Sequence, residues 1–342
     1  MNKIKLKNSI NISSNIPNLK IISKIKEESY NNEDLDYTFI VFKSIDNLLY
    51  LVYSTKNNSI ICYNLYIEQI IAEIKEHHKK CIINLKHYKD MFNKRDLIMT
   101  ISRKDNMIRV WNFVNWDCLC KITIKYFGHI YTASFINDKE NLYIISNINT
   151  NSPNSIGILD FNGNIIKEIN GSTEIICFID IYFDQKFSKK YILFGKLGFA
   201  ESYDYNKNKI YHRYIENKEE NFKAHCSLII HVYKNKIILI DSSRDGNIRI
   251  WDFHLGILIK KIYLGDIWLY GICLWDNDYL FVGCEDKTIK LIDLKKGNII
   301  KSLSGYNNSI LTVNKIFIPK YGNCLITQEK GNAQIIIWKN YD

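Results

Sequence analysis

A short motif recurs along this chain at nearly constant spacing, and this repeat restricts the fold more than any other feature. The clearest copy spans residues 245–252, and it recurs at residues 105–112 and 286–293. Each copy has a turn-forming residue, a short polar step, and an apolar run that ends in a large residue followed by Asp or Asn. Such a repeat is one supersecondary unit, which buries its apolar faces only by packing against neighbouring copies.

Weaker copies of the motif extend the repeat over the whole chain. The large closing residue, called the anchor below, stands at seven positions: Tyr63, Trp111, Leu159, Tyr203, Trp251, Ile292 and Trp338. Successive anchors are 48, 48, 44, 48, 41 and 46 residues apart, and this period is typical of a four-stranded propeller blade. In five copies a turn-forming Asp or Asn stands six residues before the anchor: Asn57, Asp105, Asp245, Asp286 and Asn332. The spacing therefore predicts a propeller of seven blades.

The fifth copy shows the four strands of one blade most clearly, at residues 228–233, 236–241, 247–252 and 257–263. The Asp245-Gly246 pair is a strong turn signal, because both positions of such a turn must tolerate positive φ. The strands are apolar runs rather than strict alternations, which indicates that both faces of the blade are buried. Helical periodicity is absent beyond two turns, so we expect an all-β protein with little helix.

The two ends of the sequence predict how the ring closes. Only four residues follow Trp338, so the seventh blade has no segment for its fourth strand. Residues 18–26 are apolar and rich in β-formers, and they precede the first complete blade. An open ring would leave an unpaired strand edge at this junction. We therefore expect residues 18–26 to supply the outer strand beside Trp338, with residues 1–17 as a flexible tail and 18–342 as one propeller domain.

At these residues the sequence resembles the WD-repeat β-propellers, from about residue 18 to residue 339. The fifth copy carries the most specific match, with His225 upstream, Asp245 in the turn and Trp251 at the strand end. In that family a turn Asp, a His, a Ser or Thr and the Trp form a hydrogen-bonded network within a blade. The resemblance implies the same network here, although Asp241 stands where the hydroxyl is expected.

Other copies keep some members of this network. The resemblance implies a structural role for Asp105, Trp111, His129, Asp286 and Trp338, and His129 belongs to a Gly-His dipeptide typical of the family. Tyr306 stands where the seventh blade would have its His. We expect the Trp251 indole to be buried, with its N–H near Ser or His side chains of its own blade.

The sequence shows no signature of an enzyme, a metal site or a cofactor site. It lacks G-x-S-x-G, G-x-G-x-x-G, the P-loop motif and H-E-x-x-H. The pair His77-His78 followed by His87 is better explained as a loop than as a metal site, because no further ligand completes a set. The thiols of Cys118 and Cys120 are likewise two ligands short and indicate a core pair. We therefore expect no catalytic activity and no cofactor.

The nine cysteines and the termini bear on the compartment. The cysteines lie mostly in apolar runs, without a C-x-x-C motif, as free thiols do in a reducing environment. The N-terminus lacks the apolar segment of a secretory signal, and no apolar run approaches the length of a membrane helix. The sequence thus favours a cytoplasmic or nuclear protein that is not transmembrane.

Charge leaves two kinds of partner open. With 46 Lys and Arg against 36 Asp and Glu the net charge is +10, yet only six of the basic residues are Arg. Nucleic-acid and phosphate sites favour Arg, so the Lys surplus is better explained as a solubilising surface. The alternative is a propeller that associates with RNA or anionic membranes through a basic surface, since six Lys and no acidic residue precede Glu27.

The function that the sequence favours is a scaffold or adaptor that presents propeller faces to other proteins within a complex. Loops on a rigid framework commonly carry recognition. Trp268 and Tyr270 open the sixth repeat and Arg244 lies in the turn of the fifth, so we take these three as candidate partner contacts. Core packing is the competing interpretation of the two aromatic residues.

Overall fold

A computed structural model of the chain describes residues 19–25, 38–55, 57–75, 78, 81–102, 105–124, 130–148, 155–169, 175–216, 223–331 and 335–340. Every helix-or-strand element in these ranges is a β-strand. The strands form seven four-stranded antiparallel sheets. The predicted all-β class and the predicted seven blades are both confirmed.

The strands follow one another with the same order in each blade. A first strand, β1 (Leu19–Ile25), precedes the blades. The first four blades comprise β2 (Phe39–Lys43), β3 (Leu49–Ser54), β4 (Ile60–Asn64) and β5 (Gln69–Ile74); β6 (Ile82–Asp90), β7 (Arg95–Ser102), β8 (Met107–Asn112) and β9 (Cys118–Thr123); β10 (Ala133–Asp138), β11 (Asn141–Ile148), β12 (Ser155–Leu159) and β13 (Ile165–Ile169); and β14 (Ile176–Asp184), β15 (Lys189–Lys196), β16 (Ala200–Asp204) and β17 (Lys209–Tyr214). The last three comprise β18 (His225–Tyr233), β19 (Lys236–Ser243), β20 (Asn247–Asp252) and β21 (Leu258–Tyr263); β22 (Leu269–Leu274), β23 (Tyr279–Cys284), β24 (Ile289–Asp293) and β25 (Asn298–Leu303); and β26 (Ile310–Ile318), β27 (Gly322–Glu329) and β28 (Ile335–Asn340).

The first strand of each blade lies innermost. Strands β2, β6, β10, β14, β18, β22 and β26 contact one another in sequence, and β26 contacts β2 again, so the ring is closed. The fourth strands consequently lie on the outer rim. We call upper face the end where second strands turn into third strands and where fourth strands lead to the next blade. The lower face is the opposite end, with the first-to-second and third-to-fourth turns.

The ring closes through the N-terminal strand, as predicted. Strand β1 pairs antiparallel with β28, from Leu19 opposite Asn340 to Ile25 opposite Ile335, with a bulge after Ile21. Leu19 is buried in the same apolar cluster as Trp338. The strand thus covers the edge that β28 would otherwise leave unpaired. The predicted tail, residues 1–17, lies outside the described residues.

Apolar side chains from adjacent blades pack together between the sheets. One cluster joins Ile240 and Ile250 of the fifth blade to Leu280 and Ile292 of the sixth. Because each sheet is covered on both faces by neighbours, its inner strands need apolar residues at successive positions. This explains why the sequence shows apolar runs where a half-exposed sheet would show alternation.

The turn between the second and third strands differs from the expectation in one detail. In this turn of the fifth blade Gly246 adopts positive φ (79°), whereas Asp245 does not. The Gly246 N–H donates to the Ser243 carbonyl (3.2 Å), so Asp245 lies inside the turn and Gly246 follows it. The residue five positions before the anchor is left-handed in other blades too, namely Asn58, Asn106, Gly198 and Lys287. The left-handed position is therefore part of the repeat and does not coincide with the turn Asp or Asn.

Candidate functional site

The fifth blade contains a buried polar network around Asp241. The His225 Nδ1 atom lies 2.9 Å from Asp241 Oδ1, and the Trp251 indole N–H donates to Asp241 Oδ2 at 2.5 Å. Asp241 is fully buried and Trp251 is 1% exposed. The indole acceptor is therefore a carboxylate of the second strand, where we expected Ser or His. A buried carboxylate is tolerated because two donors satisfy it.

Asp245 lies outside this network. Its carboxylate forms an ion pair with the Arg249 guanidinium and accepts the backbone N–H of Asn247 at 3.1 Å. Although burial acts in the opposite direction, the hydrogen bonds from Arg249 hold the pKa of Asp245 below its usual range. Of the three residues assigned from the resemblance, the structure thus brings together His225 and Trp251, while Asp245 stabilises its own turn.

The second blade contains a four-membered network that the sequence did not reveal. The Trp111 indole N–H donates to Thr100 Oγ1 (3.0 Å), and His78 Nε2 lies 2.8 Å from the same oxygen. The other ring nitrogen of His78 lies 3.5 Å from Asp105 Oδ2. Trp111 and Asp105 were both expected in such a network, whereas His78 was taken for an ordinary loop residue. The spacing gave no clear signal, because His78 precedes Asp105 by 27 residues whereas His225 precedes Asp245 by 20.

The seventh blade substitutes a phenol for the imidazole. The Trp338 indole N–H lies 2.9 Å from Tyr306 Oη and 3.2 Å from Thr327 Oγ1, and these two oxygens are 2.7 Å apart. In the sixth blade Asp286 instead caps its turn, where it accepts from Thr288 and pairs with Lys290. Its anchor there is an Ile, which offers no donor. His129 lies outside the described residues.

The predicted core pair of thiols is wrong for Cys118, which is exposed, whereas Cys120 is buried, because the outer strand β9 buries only some of its side chains. His87 Nε2 lies 2.7 Å from Asp96 Oδ1, and the His87 ring stacks on Phe42 at 3.8 Å. Within the described ranges, no group of three or more His, Cys, Asp or Glu side chains is placed to hold a metal ion. Burial raises the pKa of Cys62, Cys120, Cys273 and Cys284 to about 12 and that of Cys177 and Cys324 to about 11. These thiols stay protonated near neutral pH and are poor nucleophiles.

A buried ion pair in the fourth blade had no sequence signal. Lys196 is fully buried and its ammonium pairs with Glu201, which also accepts from Arg213 Nε at 2.9 Å. The Lys196 ammonium lies 5.3 Å from the ring centroids of Phe194 and Phe199. A Lys at the end of a strand looks like a surface residue in a Lys-rich sequence, so only the fold identifies it as part of the core.

The three candidate partner contacts form one cluster on the upper face. Arg244 lies in the turn after β19, Trp268 precedes β22, and Tyr270 lies within β22. The Arg244 guanidinium carbon is 4.8 Å from the Trp268 ring centroid and 5.8 Å from that of Tyr270. Such cation–π contacts orient the guanidinium against the two rings and favour its charged form. We call these three side chains the Arg244 cluster.

Backbone contacts hold this cluster in place. Trp268 N–H donates to the Glu285 carboxylate (3.0 Å) and Glu285 N–H donates to the Trp268 carbonyl (2.9 Å). Ser242 Oγ donates to the Tyr270 carbonyl, which ties the fifth blade to the sixth. The cluster therefore rests on two blades that are packed against each other, and its geometry is set before any partner binds.

The charge and exposure of the cluster suit recognition. Burial opposes the charge of Arg244, yet the neighbouring Cys226 keeps its pKa above the usual range, so Arg244 is always cationic. Its Nε atom is buried without a hydrogen-bond partner among the described residues. Trp268 remains 38% exposed. An exposed indole beside a fixed cation is a pattern that protein interfaces favour.

Comparisons with known proteins give partial matches. No family model matches the chain. The chain is 32% identical over 73 residues to U3 small nucleolar RNA-associated protein 21 homolog from Schizosaccharomyces pombe, which is 21% of this chain and 8% of that protein. It is 31% identical over 96 residues to myosin heavy chain kinase C from Dictyostelium discoideum, which is 27% of this chain and 12% of that protein.

Both matched stretches are short relative to either chain, so this chain spans a small part of the curated relatives it matches. Among the described residues, no helix has the length and apolar character needed to cross a membrane. The structure itself shows a repeat protein, a closed seven-bladed β-propeller with a polar network in at least three blades and a cationic, aromatic cluster on its upper face.

Proposed function

We propose that this chain is a WD-repeat propeller that acts as a non-catalytic scaffold or adaptor for other proteins within a complex. The Arg244 cluster carries this proposal, because it combines a fixed cation with an exposed Trp268 at the junction of two blades. The partner segment that fits here presents a carboxylate or carbonyl oxygen to Arg244 and an apolar group to the indole.

The blade networks support the scaffold function indirectly. They use the polar side chains that the sequence singled out, namely His225, Trp111 and Trp338, for holding blades together. The buried thiols have raised pKa values and are not activated for catalysis. Blade networks of this kind support a rigid ring, and loops on a rigid framework commonly carry recognition.

Quantitative affinity purification tests the proposal in cells that express the tagged chain. We compare the wild type with Arg244→Ala and Trp268→Ala, and we use Tyr66→Ala as control, because Tyr66 is 40% exposed on the lower face while Trp268 is 38% exposed. We expect the recovered amount of a defined set of proteins to fall at least tenfold with both cluster variants and to stay unchanged with Tyr66→Ala. Capture of the same proteins in equal amounts by all four chains would refute the role of the cluster.

The second candidate function is association with RNA or an anionic membrane through basic residues. The net charge of +10 favours it, and one partial relative has "RNA-associated" in its name. Filter binding of a single-stranded RNA at increasing salt, with sedimentation of anionic vesicles in parallel, tests it. A dissociation constant in the submicromolar range at physiological salt would favour this function over the scaffold, since charge alone gives only weak binding there. We propose a cytoplasmic or nuclear location, which a fluorescent fusion of the full chain tests.

A further inference from the structure

A groove of about 600 Å³ lies on the lower face between the fifth and sixth blades. The fifth blade contributes the hairpin around Lys234 and the turn and strand around residues 255–260. The sixth blade contributes Asn277, Leu294 and Lys295. Its volume falls within the range of specific ligand pockets. The Arg244 cluster lies at the opposite end of the same two blades, so the groove is a separate site.

Half of the residues that line the groove are aliphatic. Leu255, Ile257 and Ile259 line it and are 64%, 59% and 53% exposed. The buried side chains of Ile238 and Ile250 also line it. Three neighbouring aliphatic side chains more than half exposed to water form an apolar surface that a partner can cover favourably.

Positive charge surrounds this apolar surface. Four lysines line the groove: Lys234, Lys236, Lys260 and Lys295. The Lys260 ammonium donates to the carbonyls of Leu294 (3.1 Å) and Lys295 (2.6 Å), which fixes one wall. Lys295 pairs with Asp278 (2.6 Å). Lys234 and Lys236 are exposed, and neither forms an ion pair with any residue that the structure describes.

The carboxylate that lines the groove is engaged elsewhere. Asp252 accepts the backbone N–H groups of His254 (3.1 Å) and Leu255 (3.0 Å), so it caps its own turn. Neither Lys234 nor Lys236 forms an ion pair with Asp252. The groove therefore combines aliphatic side chains with four lysines and one carboxylate that caps its own turn, so lysines predominate among its charged groups.

We propose that this groove binds a short extended segment of a partner protein in which aliphatic side chains alternate with Asp or Glu. The aliphatic side chains cover Ile257 and Ile259, and the carboxylates reach Lys234 and Lys236. In an extended segment successive side chains point to opposite sides, so its aliphatic and acidic side chains can contact different parts of the lining. This deepens the scaffold function by naming a second recognition surface and the chemistry of its ligand, and it rests on that function.

The lining favours a peptide over RNA. Recognition of single-stranded RNA relies on aromatic side chains and Arg for stacking on bases. The groove contains one aromatic residue, Tyr233, and no Arg, whereas seven aliphatic residues line it. Its concave form also separates it from the flat apolar surfaces that lie on a bilayer.

The chain supplies matched control positions in its third blade. Ile259 follows the residue paired with Trp251, and Ile166 follows the residue paired with Leu159, so both have the same place in their blades. Both are 53% exposed. Lys139 corresponds to Lys234, because each begins the first hairpin turn of its blade with positive φ (54° and 48°).

Selection of a random octapeptide display library on the full chain tests the proposal. We expect enrichment of peptides with aliphatic residues next to Asp or Glu on the wild type and on Ile166→Lys, and none on Ile259→Lys. An enriched peptide, labelled with fluorescein, then serves as the anisotropy probe. Lys234→Glu should weaken its binding at least tenfold and Lys139→Glu less than twofold, and higher salt should weaken binding to the wild type.

Several results would overturn this inference. They are the absence of the motif from peptides selected on the wild type, equal enrichment on Ile259→Lys, and displacement of the probe by a 12-nucleotide RNA at the same site. Thermal melting of each variant shows whether it is folded, and equal loss with both Lys→Glu variants would indicate a general charge effect. Arg244→Ala should leave probe binding unchanged, so failure of the groove and failure of the Arg244 cluster are distinguishable.

Discussion

Replacing the two buried tryptophans of the second and fifth blades by Phe separates the two kinds of indole acceptor. Trp111 and Trp251 are each 1% exposed, so Trp111→Phe and Trp251→Phe remove similar buried volume. They differ in the atom that loses its donor. Trp111 donates to the Thr100 hydroxyl, and in Trp111→Phe this oxygen would still have His78 Nε2 at 2.8 Å. Trp251 donates to the Asp241 carboxylate, and in Trp251→Phe this carboxylate would still have the His225 imidazole as a hydrogen-bond partner.

The expected magnitudes follow from the charge of the acceptor. A hydrogen bond to a neutral group contributes about 0.5–1.5 kcal/mol and one to a charged group about 1.5–3 kcal/mol. Because the cavity left by the ring is common to both variants, Trp251→Phe should lower the free energy of unfolding by about 1–2 kcal/mol more than Trp111→Phe. Trp251→Ala should cost about 3–5 kcal/mol through the larger cavity.

Urea unfolding followed by far-ultraviolet circular dichroism measures these differences without relying on Trp fluorescence. The comparison requires equal slopes of free energy against urea, since a changed slope would mean a changed unfolded state. Equal losses for the two Phe variants, or a larger loss for Trp111→Phe, would refute the assignment of Asp241 as a charged acceptor. A Trp251→Ala variant that melts like the wild type would refute the structural role of this residue altogether.

Three further predictions concern closure, backbone and pH. Deleting residues 1–27 should make the chain insoluble or lower its melting temperature greatly, because the deletion exposes the edge of β28. Deleting residues 1–12 should leave solubility and melting temperature nearly unchanged. If the longer truncation is soluble and melts like the wild type, the ring closes in another way. Gly246→Ala should destabilise the fifth blade strongly, because φ is 79° and the added Cβ would lie 1.9 Å from the Gly265 carbonyl oxygen. Gly265→Ala is opposed by its φ of 120° but meets no neighbouring atom, so it should lower the melting temperature less. Burial lowers the pKa of His87, so the unfolded chain binds more protons below about pH 6.5 and stability should fall as pH drops from 7 to 5; His87→Gln should flatten this slope in urea titrations, and an unchanged slope would contradict the origin we assign.

The architecture could be predicted because it depends on local patterns that repeat. Each blade needs the same order of turn and apolar run, so weak copies reinforce one another along the chain. The predicted strand at residues 247–252 matches β20, and the predicted partner of the last blade, residues 18–26, matches β1 within one residue at each end. The edge left by a missing fourth strand was enough to assign that pairing.

Contacts across the sheets could be predicted only in part. His78 and Thr100 are 22 residues apart and meet because two strands and a loop bring them together. Asp241 replaces a hydroxyl in the fifth blade, and its role as acceptor depends on where the indole and the imidazole point. Nothing in the sequence marks Lys196 as buried, yet it is a fully buried ion-pair partner. Side-chain chemistry alone does not fix these distances.

The sequence by itself determined the all-β class, the number of blades and the closure of the ring, since periodic apolar runs can be buried only by such stacking. It also singled out Arg244, Trp268 and Tyr270, whose role as partner contacts stays a prediction. Only the tertiary structure decided that these three side chains meet on the upper face, and that Ile257 and Ile259 lie beside Lys234 in a groove of the lower face. The physical reason is that both surfaces lie at the junction of two blades, and the position of one blade against the next is set by packing of the whole ring.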